Sequence, residues 1–202
     1  VVGEAATAGG DFHAFLWAGG AMQDLGTLGG AASQARAINA AGQVVGWSHR
    51  ADGTSPHAFL SRAGVMIDLG TLPGFSGSWA NGINARGQIV GFAGVVDDRL
   101  GTFTQRAFLV EDGVMTDLNA LIPPDTGWTL AAADAINDAG QIVGFGLIGG
   151  EKHAFLLTPV TPTPVPIPEP STLALLGLAT AAAGARLGVH RSHRGGCGAR
   201  RG

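Results

Sequence analysis

The chain has 202 residues, 34 of them Gly, with no Tyr, one Cys and 13% charged side chains, and its 46% hydrophobic content is enough to bury a core. Whole-chain disorder is excluded, long helices are disfavoured by so much Gly, and the lone Cys197 cannot staple the fold. Up to Thr158 fourteen acidic side chains face seven basic ones, whereas from Pro159 onward five arginines stand against Glu169 alone; such an acidic body argues against nucleic acid as a partner, because neutralising phosphates needs a basic face.

In chain order the first unit, about 1–30, opens on Val1-Val2-Gly3, continues through His13-Ala14-Phe15-Leu16, and reaches Asp24-Leu25-Gly26-Thr27-Leu28 after a reversal at Ala18-Gly19-Gly20. Because it opens in mid-repeat, an N-terminal piece with an export signal is expected upstream of Val1. The second unit, about 31–74, adds Ile38-Asn39 in front. It then runs through Gln43-Val44-Val45-Gly46-Trp47, a polar loop from Ser48 to Pro56, His57-Ala58-Phe59-Leu60, a reversal at Ala63-Gly64, and Asp68-Leu69-Gly70-Thr71-Leu72. The third, about 75–127, repeats this order with Ile83-Asn84, Gln88-Ile89-Val90-Gly91, a loop from Val95 to Gln105, Arg106-Ala107-Phe108-Leu109, a reversal at Glu111-Asp112-Gly113, and Asp117-Leu118-Asn119-Ala120-Leu121. The fourth, about 128–157, carries Ile136-Asn137, Gln141-Ile142-Val143-Gly144 and His153-Ala154-Phe155-Leu156, then stops. Met22, Met66 and Met115 each fall two residues before the recurring aspartate.

The His/Arg-Ala-Phe-Leu copies are spaced by 44, 49 and 47 residues, and such a period decides the fold class before local propensity does. Each apolar run is four to six residues long, which is strand length, and Asn-x-x-Gly suits a hairpin reversal through positive φ at its Asn and Gly. The expected fold is all-β, a repeat protein of four-stranded antiparallel units. That is the size of a β-propeller blade; a β-solenoid with two rungs per unit is the rival arrangement. Four partial units suggest an incomplete ring, with exposed edges prone to self-association.

The histidines His13, His57 and His153 begin strands in different units, so a structural role bonding neighbouring backbone is expected of them and not convergence on a metal. Asp24, Asp68 and Asp117 are expected to cap turns, and Asn39, Asn84 and Asn137 to sit in the reversals. Gly144-x-Gly146-x-x-Gly149 spells a dinucleotide fingerprint, but a strand and not a helix follows it. Trp17, Trp47, Trp79 and Trp128 are read as core or rim packing, with sugar stacking as the alternative. No residue set marks a catalytic, cofactor or metal site. The exception weighed is Asp97-Asp98, in the longest inter-strand loop, read as a solvated pair with a cation or sugar site as the alternative; in an extracellular enzyme acting on polysaccharide these would be the acidic residues.

The HAFLW, AIN, GQVVG and MxDLGTLGG elements resemble the HAF-repeat family of bacterial extracellular proteins over about residues 1–157. That resemblance implies a secreted or surface protein of largely unassigned activity, with Arg106 departing from the repeated His.

From Thr158 to Pro170 a Pro/Thr-rich stretch, TPVTPTPVPIPEP, favours extended polyproline geometry and acts as a stiff spacer. An apolar segment follows, expected as one transmembrane helix over about 172–189; Leu173 to Val189 as a helix spans roughly 26 Å, workable where Arg186 snorkels. Arg191 and Arg194 then orient it with the repeats away from the cytoplasm, and a basic tail runs over 195–202. Pro168-Glu169-Pro170 before an apolar helix and a basic end, over residues 168–194, resembles the PEP-CTERM sorting signal of Gram-negative bacteria. The resemblance implies an exosortase-type enzyme as partner and transient residence in the inner membrane. Release to the cell surface or outside would follow, often in organisms that make exopolysaccharide. The function expected is a binding or scaffolding module, with exopolysaccharide or surface proteins as its other partners and no cofactor; the alternative is the polysaccharide-acting enzyme.

Overall fold

The computed structural model describes residues 1–53, 55–97 and 102–160. These fold as four antiparallel sheets, one after another along the chain. Sheet I holds β1 (Val2–Ala6), β2 (Phe12–Ala18) and β3 (Ala21–Asp24). Sheet II holds β4 (Gly29–Ile38), β5 (Val44–Arg50), β6 (His57–Arg62) and β7 (Val65–Asp68). Sheet III holds β8 (Gly77–Ile83), β9 (Ile89–Asp97), β10 (Thr102–Glu111) and β11 (Val114–Asp117). After two short 3-10 turns at Leu118–Ala120 and Pro124–Thr126, sheet IV holds β12 (Trp128–Ile136), β13 (Ile142–Ile148) and β14 (Glu151–Leu157). Every strand pairs with its sequence neighbour within its own sheet, so each sheet is a simple meander. Among the described residues no helix is long and apolar enough to cross a membrane; the span expected over 172–189 and the basic tail lie outside them, as does the spacer beyond Val160.

The reversals follow the sequence closely. Four two-residue loops, Gly19-Gly20, Ala63-Gly64, Asp112-Gly113 and Gly149-Gly150, have positive φ at both positions, as tight type I′ hairpins require. In the Asn-x-x-Gly turns only the glycine is left-handed, Gly42 at φ 74°, Gly87 and Gly140 at φ 80°. The expectation that Asn also takes positive φ is corrected. Asn39 instead accepts hydrogen bonds from the Ala41 and Gln43 amides through Oδ1, at 3.1 and 3.0 Å, which is side-chain mimicry of a turn.

The strands run longer than the four to six residues read from the apolar runs. β4 and β10 reach ten residues, because small-residue stretches such as Gly30-Ala31-Ala32-Ser33 extend the first, and Thr102–Gln105 pair with Gly94–Asp97 in the second. The expected loop from Val95 to Gln105 is therefore mostly strand.

One cross-strand row explains two of the sequence motifs at once. The last Gly of each Gln-Val/Ile-Val-Gly run lies opposite the Phe of the next strand: Gly3 with Phe15, Gly46 with Phe59, Gly91 with Phe108 and Gly144 with Phe155. On its other side Gly46, Gly91 and Gly144 face Ala35, Ala80 and Ala133, where the first strand carries a register shift. A Cβ on Gly91 would collide with the Trp79 carbonyl oxygen and stand 2.8 Å from Phe108 Cζ; one on Gly144 would meet the Ala132 carbonyl and stand 2.9 Å from Phe155 Cζ. The glycine is thus the floor on which the aromatic ring lies. Phe59 and Phe108 are fully buried there, each stabilising the fold by about 2 kcal/mol of apolar transfer.

The core is divided into three layers, one between each pair of successive sheets. Val2, Ala14 and Leu16 of sheet I meet Ala35, Val44 and Phe59 of sheet II. Val45, Ala58 and Leu60 meet Ala80, Ile89 and Phe108. Val90, Ala107 and Leu109 meet Leu130, Ala133, Ile142 and Phe155. One face of each sheet therefore covers the other face of the next.

Candidate functional site

The repeated polar residues fasten strands within a sheet and one sheet to the next. In sheet I, His13 Nδ1 lies 2.9 Å from Asp24 Oδ2, and in sheet II His57 Nδ1 lies 2.9 Å from Asp68 Oδ1. Each carboxylate also accepts an amide two residues on, from Gly26 and Gly70, both at 2.7 Å. Burial acts to raise the Asp24 carboxyl, but the Gly26 amide and His13 outweigh it and hold the group below the ordinary carboxylate range. The aspartates cap turns as expected; the histidines bond a carboxylate and not the backbone groups anticipated for them. The signal was present in the spacing, since His13–Asp24, His57–Asp68 and Arg106–Asp117 are each eleven residues apart.

His57 is buried, and its Nε2 lies 3.2 Å from an Arg50 nitrogen that is only a donor, which places the ring proton on Nδ1, toward Asp68. Arg50 is paired in turn with Asp52. The ring nitrogen that a catalytic base would use is therefore occupied by a guanidinium. Asp117 instead accepts from the Asn119 amide at 2.8 Å as the cap of its 3-10 turn. His153 is half exposed, 3.9 Å from Glu151 and edge-on to Trp128 at 6.2 Å, because among the described residues sheet IV has no fourth strand to bring an aspartate.

The asparagines form a ladder across three sheets. Asn39 Nδ2 donates to Gln43 Oε1 at 2.7 Å and to the Asn84 carbonyl at 3.0 Å. Asn84 Nδ2 repeats this with Gln88 at 2.7 Å and the Asn137 carbonyl at 3.1 Å. Asn137 Nδ2 donates to Gln141 Oε1 at 2.8 Å and lies exposed at the end of the series.

A third fastener was not read from the sequence. Ser33 and Ser78 are fully buried; Ser33 Oγ accepts the Ala14 amide at 2.9 Å and donates to the Gly26 carbonyl at 2.5 Å, and Ser78 does the same with Ala58 at 2.8 Å and Gly70 at 2.5 Å. In the next unit Ala131 stands where the serine was, and Asn119 stands where the glycine was. The Asn119 side chain takes over the link by bonding the Leu130 amide at 2.7 Å and carbonyl at 3.0 Å.

The remaining candidates do not converge. Gly144 and Gly146 lie within β13 and Gly149 in a hairpin, so no helix N-terminus is present there to hold a pyrophosphate. Asp97 is the last residue of β9, and Asp98 lies outside the described residues. Trp79 stacks on Phe92 at 4.9 Å, Trp47 donates through Nε1 to Gln34 at 2.9 Å, and Trp17 is 46% exposed. Among the described residues no group of three or more His, Cys, Asp or Glu is placed to hold a metal ion. Two depressions, of about 320 and 290 Å³, lie beside sheet I, the second lined by His13, Phe15, Met22 and Asp24.

The fold and its fasteners define, over the described residues, an all-β protein of four antiparallel sheets joined in series. Its C-terminal region carries an address: residues 166–191 match the PEP-CTERM protein-sorting motif, marking the chain for export and sorting. The match contains Pro168, Glu169, Pro170, Arg186 and Arg191, and Arg194 follows it; all six lie outside the described residues. No curated protein and no solved structure matches the chain.

Proposed function

We propose that the chain is an exported, non-enzymatic protein of the cell surface or extracellular matrix, delivered through its C-terminal end and working there by binding or scaffolding. The observation that carries this is the sorting motif at 166–191, set behind a proline-rich spacer that follows a fully sheet-built body. In this reading an exosortase-type enzyme in the inner membrane recognises Pro168-Glu169-Pro170. The apolar segment over 172–189 crosses that membrane transiently, held by Arg186, Arg191 and Arg194, and is then removed. The body is a HAF-type repeat array whose four units are propeller-like blades of an incomplete ring. Supporting that arrangement, β4, β8 and β12 each open a sheet and each pack on the sheet before. Exopolysaccharide and other surface proteins are its partners.

Mass spectrometry of the exported form tests delivery: the mature chain should end before Leu173, and replacing Pro168-Glu169-Pro170 by alanines should retain it in the membrane fraction. An exported form that still contains Leu173 to Val189 defeats the processing step. Incubation with exopolysaccharide tests the mode of action, with retention expected and no turnover. Hydrolysis that disappears on changing Asp97 and Asp98 to asparagine would replace binding by catalysis.

A further inference from the structure

The layer between sheets I and II differs from the other two at one place. Four residues after the start of the His/Arg-Ala-Phe-Leu run stand Ser61, Val110 and Leu157 in sheets II, III and IV. Each faces the sheet before: Ser61 lies across from Val44, Val110 is 3% exposed in the layer between II and III, and Leu157 packs in the layer between III and IV. On the facing sheet the position paired with Leu16, Leu60 and Leu109 is held by Gln23, Ile67 and Thr116. The layer between II and III is thus closed by Val110 and Ile67, whereas the layer between I and II brings a hydroxyl and an amide to the same place.

The depression of about 320 Å³ lies there, with Leu16 and Leu25 on one side, Val44 and Ser61 on the other and the Ala63-Gly64 hairpin at its rim. Ser61 is 4% exposed, and its Oγ has no hydrogen-bond partner among the described residues. No fully sealed side-chain oxygen or nitrogen of those residues is left unpaired, so this hydroxyl opens into the depression. A hydroxyl so placed costs free energy until something in the depression bonds it. Gln23 is exposed, and its amide is likewise unbonded among the described residues; a Cβ on Gly64 would stand 3.7 Å from its Nε2, so the amide hangs over the rim. None of the lining comes from β1, at whose edge an upstream strand would pair, and the face of sheet I involved is the one that sheet II covers.

We propose that this depression binds one neutral sugar residue of a polysaccharide, an inference that rests on the binding function proposed above and gives it a site. No lining residue carries a charge, so an ionised ligand would lose water there with nothing to offset the loss. The Ser61 hydroxyl and the Gln23 amide each donate and accept, which suits neighbouring hydroxyls of a sugar ring, while Leu16, Leu25 and Val44 suit its C–H face. At about 30 Å³ for each water, the volume holds on the order of ten waters, which is room for one ring and leaves the adjoining residues of the polymer in solvent.

The test titrates the full chain, held in detergent, with the methyl glycosides of glucose, galactose, mannose and rhamnose, and reads the amide resonances of Gly42, Ala63 and Gly64 at the depression. At least one glycoside should shift all three saturably, and cyclohexanol, a ring with a single hydroxyl, should bind at least tenfold more weakly. Ser61→Ala and Gln23→Leu should each weaken binding about tenfold. Ser61→Val, which supplies the side chain found at Val110, should abolish it while the urea midpoint stays at or above that of the native chain. No shift with any of the four glycosides, equal binding of cyclohexanol, or binding unchanged in Ser61→Val overturns the site. Retention on exopolysaccharide, measured with the same proteins, separates the site from the wider reading. Equal retention by the native chain and Ser61→Val removes the site and keeps the reading, whereas glycoside binding without retention keeps the site and removes that partner.

Discussion

Asn84 gives the sharpest test of how the sheets are held together. Its side chain is 3% exposed and makes four hydrogen bonds: Nδ2 to Gln88 Oε1 and to the Asn137 carbonyl, and Oδ1 from the Arg86 and Gln88 amides at 3.1 and 3.0 Å. Truncation to Ala leaves two turn amides and one carbonyl of the next sheet without their partner, while Gln88, only half-buried, can turn to water. At about 1 kcal/mol net for each bond lost at a sheltered site, Asn84→Ala costs about 3 kcal/mol. The internal control is Asn137, exposed, whose side chain among the described residues bonds only Gln141, at 2.8 and 2.9 Å; its truncation costs about 1 kcal/mol because water replaces what is lost. Urea unfolding followed by Trp fluorescence measures both. A third variant, Asn84→Asp, keeps the acceptor for the two turn amides but turns an oxygen toward the Asn137 carbonyl. Its carboxyl is raised in the folded state, so the variant is most stable below the unfolded carboxylate value of about 3.9 and loses stability as pH rises through the folded one. Equal losses for Asn84→Ala and Asn137→Ala would show that the turn alone, and not the ladder, uses this residue.

Three further outcomes follow from neighbouring features. Gly91→Ala should cost about 3 kcal/mol, because the new Cβ meets the Trp79 carbonyl and the buried Phe108 ring, and neither has room to yield; a loss under about 1 kcal/mol in urea would show that the sheet relaxes. Ala63→Gly should raise stability by about 0.5–1 kcal/mol, since Ala63 is held at φ 49° on an exposed hairpin, and thermal unfolding reads the shift. Asp24→Asn removes a carboxylate held below its ordinary value, so its stabilising contribution is present above the unfolded carboxylate range and is lost as pH falls through the folded value. With the side chain 57% exposed, the deficit of the variant at neutral pH should stay under about 1 kcal/mol and vanish in acid titrations of stability.

How much of this was legible in the sequence depends on whether a residue's role is local. The hairpins at Gly19-Gly20, Ala63-Gly64 and Asp112-Gly113 were readable because positive φ is a property of the residues at the turn itself. The strand order was readable because the same four runs recur in the same sequence, and a meander is the simplest way to pair consecutive runs. Ser33 and Ser78 were not, because a Ser in a run of Gly and Ala looks like a solvent-facing residue until another sheet's amide is placed against it. The His–Asp pairing fell between these cases. The register Phe15–Asp24 and Phe59–Asp68 sets each aspartate across from the Phe, and the histidine two residues earlier on the same face reaches back to it. Two aligned periods of eleven residues carry that information, but only after the strands are known to be adjacent.

The fasteners also determine where the array is weak. The Asn ladder links sheet II to III and III to IV, the serine bridges link I to II and II to III, and each reaches only the adjacent sheet. Stability in such an array is a sum of unit and nearest-neighbour terms, so sheets II and III, packed on both faces, hold longest, and sheets I and IV, packed on one, open first. Amide exchange should therefore be faster in β1, β2, β13 and β14 than in β5, β6, β9 and β10 of the same chain, whereas equal rates in all eight strands would show that the sheets open as one unit.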